Sequence, residues 1–303
     1  KIPRLLEKCM NRTFFRGSSG IRVELSALSV SHRADLIYSV CGPLSLTGLY
    51  PKAKVIPWVF RPPSFPVRNP INAYSPPNLK KNIGFMCLTP KAETYYSKFS
   101  FSKFIPWSVD TQLFDGKPSS SNNSKPFFLA TGKTGRDYDT LVSSAVGLKA
   151  NIRIIGPASQ KPNQTPCNVE WIETSSDPPD QAIDYLTLRE WYRDCLAVCI
   201  PLSGDSEDTC GYTNMLEGMA MRKPILMTHS GSLDLEPEKQ GFGKLIQPKD
   251  KDEWTKAMNG MVEKPLSITS MGENGRKIVE SEFTVEKLNQ NILDFIAKTY
   301  SKQ

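Results

Sequence analysis

Several residue patterns are scarce or missing in this 303-residue chain, and each absence narrows what it can encode. Histidine occurs only at His32 and His229, neither of them in a recognisable motif, so neither is assigned a role. No run of about 18 apolar residues occurs, so the sequence predicts no transmembrane helix. The seven cysteines include no Cys-x-x-Cys pair. Several lie in apolar runs, as Cys87 and Cys199 do, which favours a reducing compartment.

Two phosphate-binding motifs are also missing. Lys133-Thr134 resembles the end of a Walker A loop, but Phe127 occupies the position where that motif requires glycine. The dinucleotide fingerprint Gly-x-Gly-x-x-Gly does not occur. Because no paired Cys/His spacing is found either, we expect no bound metal.

The chain has the composition of a globular protein, with an uneven distribution of charge. Hydrophobic residues make up 39% and charged residues 23%, which excludes a disordered chain and a bilayer-spanning bundle. Residues 1–115 contain 16 Lys and Arg against 6 Asp and Glu, whereas residues 116–303 contain 22 against 25. The basic part favours an anionic partner such as a membrane surface, a phosphorylated glycan or lipid, or nucleic acid. The alternative is that this charge only maintains solubility.

Short apolar runs alternate with helical patterns along the chain, which is typical of parallel βαβ units. Strands are predicted at 34–40, 54–60, 83–88, 103–107, 127–131, 151–156, 169–172, 196–200 and 224–228. Helices are predicted at 89–99, 138–148, 186–194 and 285–300, with a further short helix around Glu217. The predicted fold class is therefore α/β, with ligands bound beyond the carboxyl ends of the strands.

The chain is long enough for two domains, and its polar stretches indicate where they divide. A proline-bounded polar segment predicts a linker at 117–126, between a first domain at 1–116 and a second at 127–284, with a C-terminal helix at 285–303. The proline cluster from Pro57 to Pro77 predicts a long surface loop, because proline fits poorly into a regular helix or a central strand. Since the first residue is Lys1, we expect a fragment or a processed product.

Two loops at predicted strand ends have residues suited to phosphates and sugars. In Thr209–Thr228 a glycine precedes a short helix that contains Glu217 and leads into a strand. Unpaired N–H groups at such a helix start suit a phosphate, and the acid suits sugar hydroxyls, although a glutamate there is also ordinary dipole compensation. The turn after residue 131 presents Lys133 and Arg136, which would neutralise a diphosphate unless both are solvated loop charges.

Taken in order, these motifs resemble the GT-B glycosyltransferases, specifically the retaining family 4. Gly132-Lys133 stands where that family has Gly-Arg, and Arg136 stands where it has Lys, so the two cations have exchanged types. The segment from Leu216 to Ile225, LEGMAMRKPI, is similar to the family's glutamate followed by Ala-Met-Ala-x-x-Lys-Pro-Val. The resemblance covers about residues 83–300. It implies two Rossmann-like domains facing across a cleft, with a shortened or truncated N-terminal domain.

The resemblance also assigns roles to individual residues. The cations would hold the donor diphosphate and stabilise the departing nucleotide, and Glu217 would bind the ribose. Thr209 occupies the position of the family's first glutamate, so either a local shift lets Glu207 or Asp208 reach the donor sugar or this contact is lost. We favour the shift, with Glu207 as the acid. The predicted catalytic residues are Lys133, Arg136 and Glu207, and the predicted donor-binding residues are Gly132, Ile172, Glu173, Thr213, Asn214, Met215 and Glu217.

The function implied is metal-independent transfer, with retention of configuration, from a nucleoside diphosphate sugar such as a UDP- or GDP-sugar. The acceptor would be a glycan, a lipid-linked molecule or another group, and no cofactor is expected besides the donor substrate. Three alternatives stay open: a weak or inactive GT-B scaffold or binding subunit, a nucleotide-sugar epimerase on the same fold, and a glycosyltransferase that modifies nucleic acid. The expected location is cytoplasmic, and peripheral at a membrane if the basic part binds one.

Overall fold

The computed structural model describes residues 3–50, 54–118, 125–174, 183–204, 209–231 and 234–301. The chain divides into two compact units, one formed by Lys1–Pro106 with Leu288–Gln303 and the other by Trp107–Lys287. Each unit is built around a parallel sheet, so the predicted α/β class is confirmed.

The first unit contains a four-stranded sheet with the order β1-β2-β3-β4. Buried aromatic and aliphatic side chains form its core, where the rings of Phe85 and Tyr96 stack with centroids 4.8 Å apart. The strands are β1 Leu36–Val40, β2 Lys54–Val59, β3 Phe85–Cys87 and β4 Ser102–Phe104. The helices of its N-terminal part are α1 Arg4–Thr13, α2 Ile21–Val30, α3 Pro76–Leu79 and α4 Pro90–Tyr96.

The predicted surface loop from Pro57 to Pro77 is wrong at both of its ends. Pro57 lies inside β2, which is a central strand. The carbonyls of Val55 and Val59 accept hydrogen bonds from residues flanking β3, so Pro57 also turns its backbone toward β3. Strand β3 pairs with β2 only from Trp58 onward, so the missing N–H of proline removes no ladder bond.

The other end of the cluster is helical. Pro76 and Pro77 occupy the first turn of α3, where a helix has no partner for the N–H that proline lacks. Ser75 caps this helix by accepting a hydrogen bond from the N–H of Asn78 at 3.4 Å. Proline is therefore compatible with regular structure at each end of the cluster because its position there demands no N–H donor.

The second unit contains a six-stranded parallel sheet with the order β10-β9-β8-β5-β6-β7. Strand β5 lies in the middle, the next two strands extend the sheet in one direction, and β8 returns to the other side of β5. The order in which strands are added to the sheet therefore reverses between β5 and β8. Ligands of doubly wound sheets bind at such a reversal of strand order. The strands are β5 Phe127–Thr131, β6 Asn151–Pro157, β7 Val169–Thr174, β8 Val198–Ile200, β9 Ile225–Thr228 and β10 Gly243–Ile246. The helices are α5 Tyr138–Ser143, α6 Tyr185–Asp194, α7 Tyr212–Ala220, α8 Lys251–Glu263 and α9 Pro265–Glu282.

Helix α5 is shorter than the predicted helix at 138–148. Its end is closed by the N–H of Ser144, which bonds to the carbonyls of Thr140 and Leu141, and by the Ser144 hydroxyl, which donates to Leu141. The turn that follows contains Gly147 with a φ of 82°, a conformation that glycine adopts without strain. The helical pattern of the sequence continues here, but the backbone does not.

The chain passes from the first unit to the second after Pro106, which differs from the linker predicted at 117–126. Residues 107–116, predicted to close the first domain, belong to the second unit, because Val109 N–H donates to Phe283 O at 2.9 Å and Arg276 Nη1 donates to Phe114 O at 2.6 Å. Residues 119–124 of the predicted linker lie outside the described residues. The final helix, α10 Val285–Tyr300, has the predicted bounds. From Leu288 onward it belongs to the first unit, within which its Phe295 stacks on Phe101 with centroids 5.3 Å apart.

Candidate nucleotide-sugar site

A cavity of about 270 Å³ lies at the carboxyl ends of the central strands of the second unit. It is bounded by the ends of β5 and β7, by part of β6, and by residues near the starts of α6 and α7. The lining residues are Thr131, Gly132, Lys133, Ile155, Thr174, Ile183, Tyr185, Leu188, Thr213, Asn214 and Glu217. Five of the residues predicted from the sequence are thus brought together: Gly132, Lys133, Thr213, Asn214 and Glu217.

The turn after β5 is fastened to the segment after β8, which fixes one side of this cavity. Arg136 and Leu202 form an isolated antiparallel bridge, and the N–H of Asp137 donates to Pro201 O at 3.0 Å. The N–H of Ser203 donates to Gly135 O at 3.1 Å. These backbone bonds hold the two loops together at the reversal point of the sheet.

The first turn of helix α7 lines the cavity through Thr213 and Asn214. Gly211 precedes the helix with a φ of 85°, a left-handed conformation that leads the chain sharply into the first turn. The first intrahelical bond runs from Met215 N–H to Gly211 O, so the N–H groups of residues 212–214 have no partner within the helix. The residue at the N-cap, Gly211, has no side chain that could accept a hydrogen bond from these groups. Uncapped N–H groups and the helix dipole favour an anion here.

Glu217 lines the cavity and is almost completely buried, with 6% of its surface exposed. Its Oε2 accepts a hydrogen bond from the hydroxyl of Tyr192 at 2.8 Å. Burial raises the pKa of Glu217 to about 7, while hydrogen bonds from Tyr192 and Asn214 act in the opposite direction. The carboxyl group is therefore available both as an acid and as a hydrogen-bond acceptor near neutral pH.

Arg136 is directed toward the protein's own chain. Its Nε donates to Thr131 O at 3.1 Å, its Nη1 donates to Thr134 O at 2.9 Å, and its Nη2 donates to the side-chain oxygen of Asn214 at 2.6 Å. The guanidinium covers Gly132, where a Cβ atom would collide with it. In this arrangement Arg136 braces the turn, and its predicted contact with a diphosphate stays a prediction.

The remaining predicted residues lie outside the cavity lining or outside the described residues. Met215 is fully buried, so only its backbone is suited to a ligand contact. Ile172 and Glu173 belong to β7, where Glu173 Oε1 lies 3.6 Å from Lys161 Nζ, and the next residue, Thr174, lines the cavity instead. Glu207 lies outside the described residues.

Sequence reasoning missed six residues of the cavity lining and one residue behind it. The lining residues are Thr131, Ile155, Thr174, Ile183, Tyr185 and Leu188, and the residue behind them is Tyr192, which bonds to Glu217. It lies in α6, is fully buried and also accepts a hydrogen bond from the side-chain amide of Asn214 at 3.4 Å. The helical pattern of 186–194 identifies it as a core position, but nothing in that pattern indicates that its hydroxyl reaches an acid 25 residues later in the chain. Side chains from Arg136, Asn214, Tyr192 and Glu217 thus form a continuous hydrogen-bonded chain, of which Asn214 and Glu217 line the cavity.

Two further observations concern the described residues as a whole. They contain no group of three or more His, Cys, Asp and Glu side chains arranged to hold a metal ion. Within the same part of the chain, no helix combines the length and the apolar character needed to cross a bilayer.

Solved structures with a similar fold are glycosyltransferases. Sucrose-phosphate synthase from Thermosynechococcus elongatus superposes with a TM-score of 0.72 at 15% identity, covering 100% of this chain and 81% of that one. The UDP-forming α,α-trehalose-phosphate synthase from Burkholderia vietnamiensis gives 0.67 at 11% identity, covering 99% and 79%. The chain has the GT-B fold.

A third GT-B structure, HepE of Anabaena in complex with UDP-glucose, gives a TM-score of 0.64 at 14% identity, covering 91% of this chain and 82% of that one. Neither a family model nor a curated protein sequence matches the chain. At these identities the similarity establishes the fold, and the function must be argued from the site.

Proposed function

We propose that the protein is a glycosyltransferase that takes a sugar from a nucleoside diphosphate sugar. The observation that supports this most directly is the meeting of Lys133, the N-terminus of α7 and the buried Glu217 around one cavity. A nucleoside diphosphate has a dianionic bridge next to a ribose with two hydroxyls. The cavity lining contains groups that match both parts, a cation and a helix N-terminus for the diphosphate and an acid for the ribose.

The diphosphate would lie against the start of α7 and the turn after β5. The N–H groups of residues 212–214 would donate to its oxygens, and Lys133 would supply positive charge. In the transfer step the bond between the sugar and the diphosphate breaks, and negative charge develops on the departing phosphate. Donors fixed in place before the reaction stabilise this charge without reorganisation, which is commonly a large contribution to catalysis.

The ribose would lie against Glu217. The Tyr192 hydroxyl donates to Oε2 and Asn214 also hydrogen-bonds to the carboxyl group. Because the two oxygens of a carboxylate have about four lone-pair sites between them, acceptor capacity is left for a ribose hydroxyl. The apolar lining from Ile155, Ile183 and Leu188 would cover the base. This orientation agrees with the role that the sequence resemblance gives to Glu217.

The finer features of the reaction follow the same resemblance. We propose transfer with retention of configuration and without a bound metal ion, to a glycan or lipid-linked acceptor. HepE, in its complex with UDP-glucose, makes a UDP-sugar the first donor to test.

Titration calorimetry with UDP and UDP-glucose tests the site, with GDP and ADP as competing nucleotides. Glu217→Gln should weaken UDP binding about tenfold to a hundredfold, because hydrogen bonds to a charged group contribute about 1.5–3 kcal/mol. The same variant should leave binding of inorganic pyrophosphate unchanged, whereas Lys133→Ala should weaken both ligands.

The matched control is Glu263→Gln, in which an exposed glutamate of α8 that pairs with Lys149 is changed in the same way. It should bind UDP as the wild type does. Release of the nucleoside diphosphate in the presence of glycan acceptors, with the product anomer assigned by NMR, then tests transfer and retention. If no nucleotide binds the wild-type protein, the proposed site is refuted.

A further inference from the structure

Helix α1 has its two faces arranged in the opposite sense to an ordinary surface helix. None of its ten residues is buried. At about 100° per residue, Leu5, Leu6, Cys9 and Met10 share one face, as the spacing i, i+4 within each pair requires. A surface helix normally turns such a face toward the core of its domain.

The polar face of α1 contacts the rest of the first unit instead. Glu7 Oε1 lies 2.7 Å from Arg22 Nε, and Asn11 Oδ1 accepts a hydrogen bond from the N–H of Ile21 at 2.8 Å. These contacts fasten α1 to the start of α2 through Glu7 and Asn11. The apolar face is left outward, with Leu5 77% exposed and Leu6 52% exposed.

Basic residues border the outward face. Arg4, Lys8 and Arg12 follow one another at a spacing of four residues, so they form a single row along the helix beside Leu5 and Cys9. All three are exposed. An apolar face bordered by cations is the pattern of a helix that lies in the interface of a bilayer, with its apolar side chains among the acyl chains and its cations at anionic headgroups.

We propose that α1 docks the protein on an anionic lipid surface through Leu5, Leu6 and Cys9, with Arg4, Lys8 and Arg12 at the headgroups. The charge of the surrounding chain agrees, since residues 1–115 contain 16 basic against 6 acidic residues. Pairing of α1 with a second copy would bring two rows of cations together, which is unfavourable. Nucleic acid would match the cations and would leave the exposed leucines without a partner. This proposal is independent of the proposed function.

Sedimentation with lipid vesicles tests it on the full chain. The wild type should bind vesicles of equal parts phosphatidylcholine and phosphatidylglycerol and should not bind phosphatidylcholine alone. Leu5→Gln/Leu6→Gln should weaken binding at least tenfold through lost apolar burial. Lys8→Gln/Arg12→Gln should weaken it about fivefold for each charge removed. The matched control is Leu266→Gln in α9, where the leucine is 87% exposed and should not affect binding.

Two further measurements test whether the α1 variants stay folded and whether α1 itself contacts the vesicles. Because α1 buries no residue, the circular dichroism and the thermal midpoint of both α1 variants should equal those of the wild type. An environment-sensitive dye on Cys9 should shift to the blue when anionic vesicles are added, whereas the same dye on Cys167, which is also exposed, should not.

The proposal is overturned by any of three results. The first is vesicle binding that both α1 variants retain. The second is a wild-type dimer that Leu5→Gln/Leu6→Gln converts to a monomer, which would assign the face to a second copy. The third is binding to heparin or oligonucleotides, but not to vesicles, that survives the leucine substitutions.

Discussion

Helices α1 and α7 are similar in length, yet they relate to their surroundings in opposite ways. In α7, seven of nine residues are buried, and its exposed end faces the cavity. In α1, none of ten residues is buried, and its apolar face points outward. The apolar residues of α7 are used within the protein, which leaves its N-terminus and Glu217 for a ligand. Those of α1 are unused within the described chain, which leaves them for an external surface.

The largest expected effect compares a leucine in each helix. Leu216 of α7 is fully buried, so Leu216→Ala should lower the free energy of unfolding by about 2–5 kcal/mol, through lost burial and a residual cavity. Leu5→Ala in α1 should change it by less than about 0.5 kcal/mol. Urea unfolding followed by circular dichroism measures both. Equal losses would show that α1 is packed in solution and would remove the contrast.

The second prediction concerns the buried acid of α7 and the dependence of stability on pH. The pKa of Glu217 is about 7 in the folded protein, against an ordinary value of 4.5. Between these values the folded state binds more protons than the unfolded state, so stability falls as pH rises. The stabilising contribution is complete below about pH 4.5 and is lost as pH rises through 7, by about 3 kcal/mol at most.

Unfolding of the wild type and of Glu217→Gln between pH 5 and pH 8 measures this contribution, because glutamine does not titrate. The free energy of unfolding of the wild type, taken relative to the variant, should decrease across this range. Glu263→Gln serves as the control, since Glu263 is exposed and its pKa is lowered by Lys149. A constant difference between the wild type and Glu217→Gln would mean that the acid is already ionised at pH 5.

The sequence predicts some elements with their observed bounds and misses others. The strand at 127–131 and the helix at 285–300 have their predicted bounds, because local apolar periodicity determines them. Helices α1 and α2 were not predicted, although Leu5, Leu6, Cys9 and Met10 of α1 have the spacing of one helix face. That the face points outward is set by the contacts of Glu7 and Asn11 with the start of α2, which the local pattern does not reveal.

The local sequence pattern also predicts where a residue lies in the fold better than which groups its side chain contacts. The position of Arg136 in the turn was predicted, but not that nearby carbonyls and Asn214 would occupy its donors. Contacts such as Tyr192 with Glu217 join distant parts of the chain, and only the folded backbone brings them together.

The smallest effect tests how far α7 depends on its neighbour α6. Tyr192→Phe keeps the ring in the core and removes the hydroxyl that donates to Glu217, so the free energy of unfolding should fall by about 1–2 kcal/mol. Because that hydrogen bond lowers the pKa of Glu217, its loss should raise this pKa further.

If UDP requires the carboxylate, the pH at which UDP binding is half-maximal should then move upward, and the affinity at pH 7 should fall severalfold. Calorimetry across pH measures both quantities. At each pH, pyrophosphate should bind Tyr192→Phe as tightly as it binds the wild type. Tyr192→Phe and Glu217→Gln should also combine non-additively, since the hydroxyl acts through the acid. Additive losses, or an unmoved pH midpoint, would reduce Tyr192 to a core residue and would leave α7 to orient Glu217 alone.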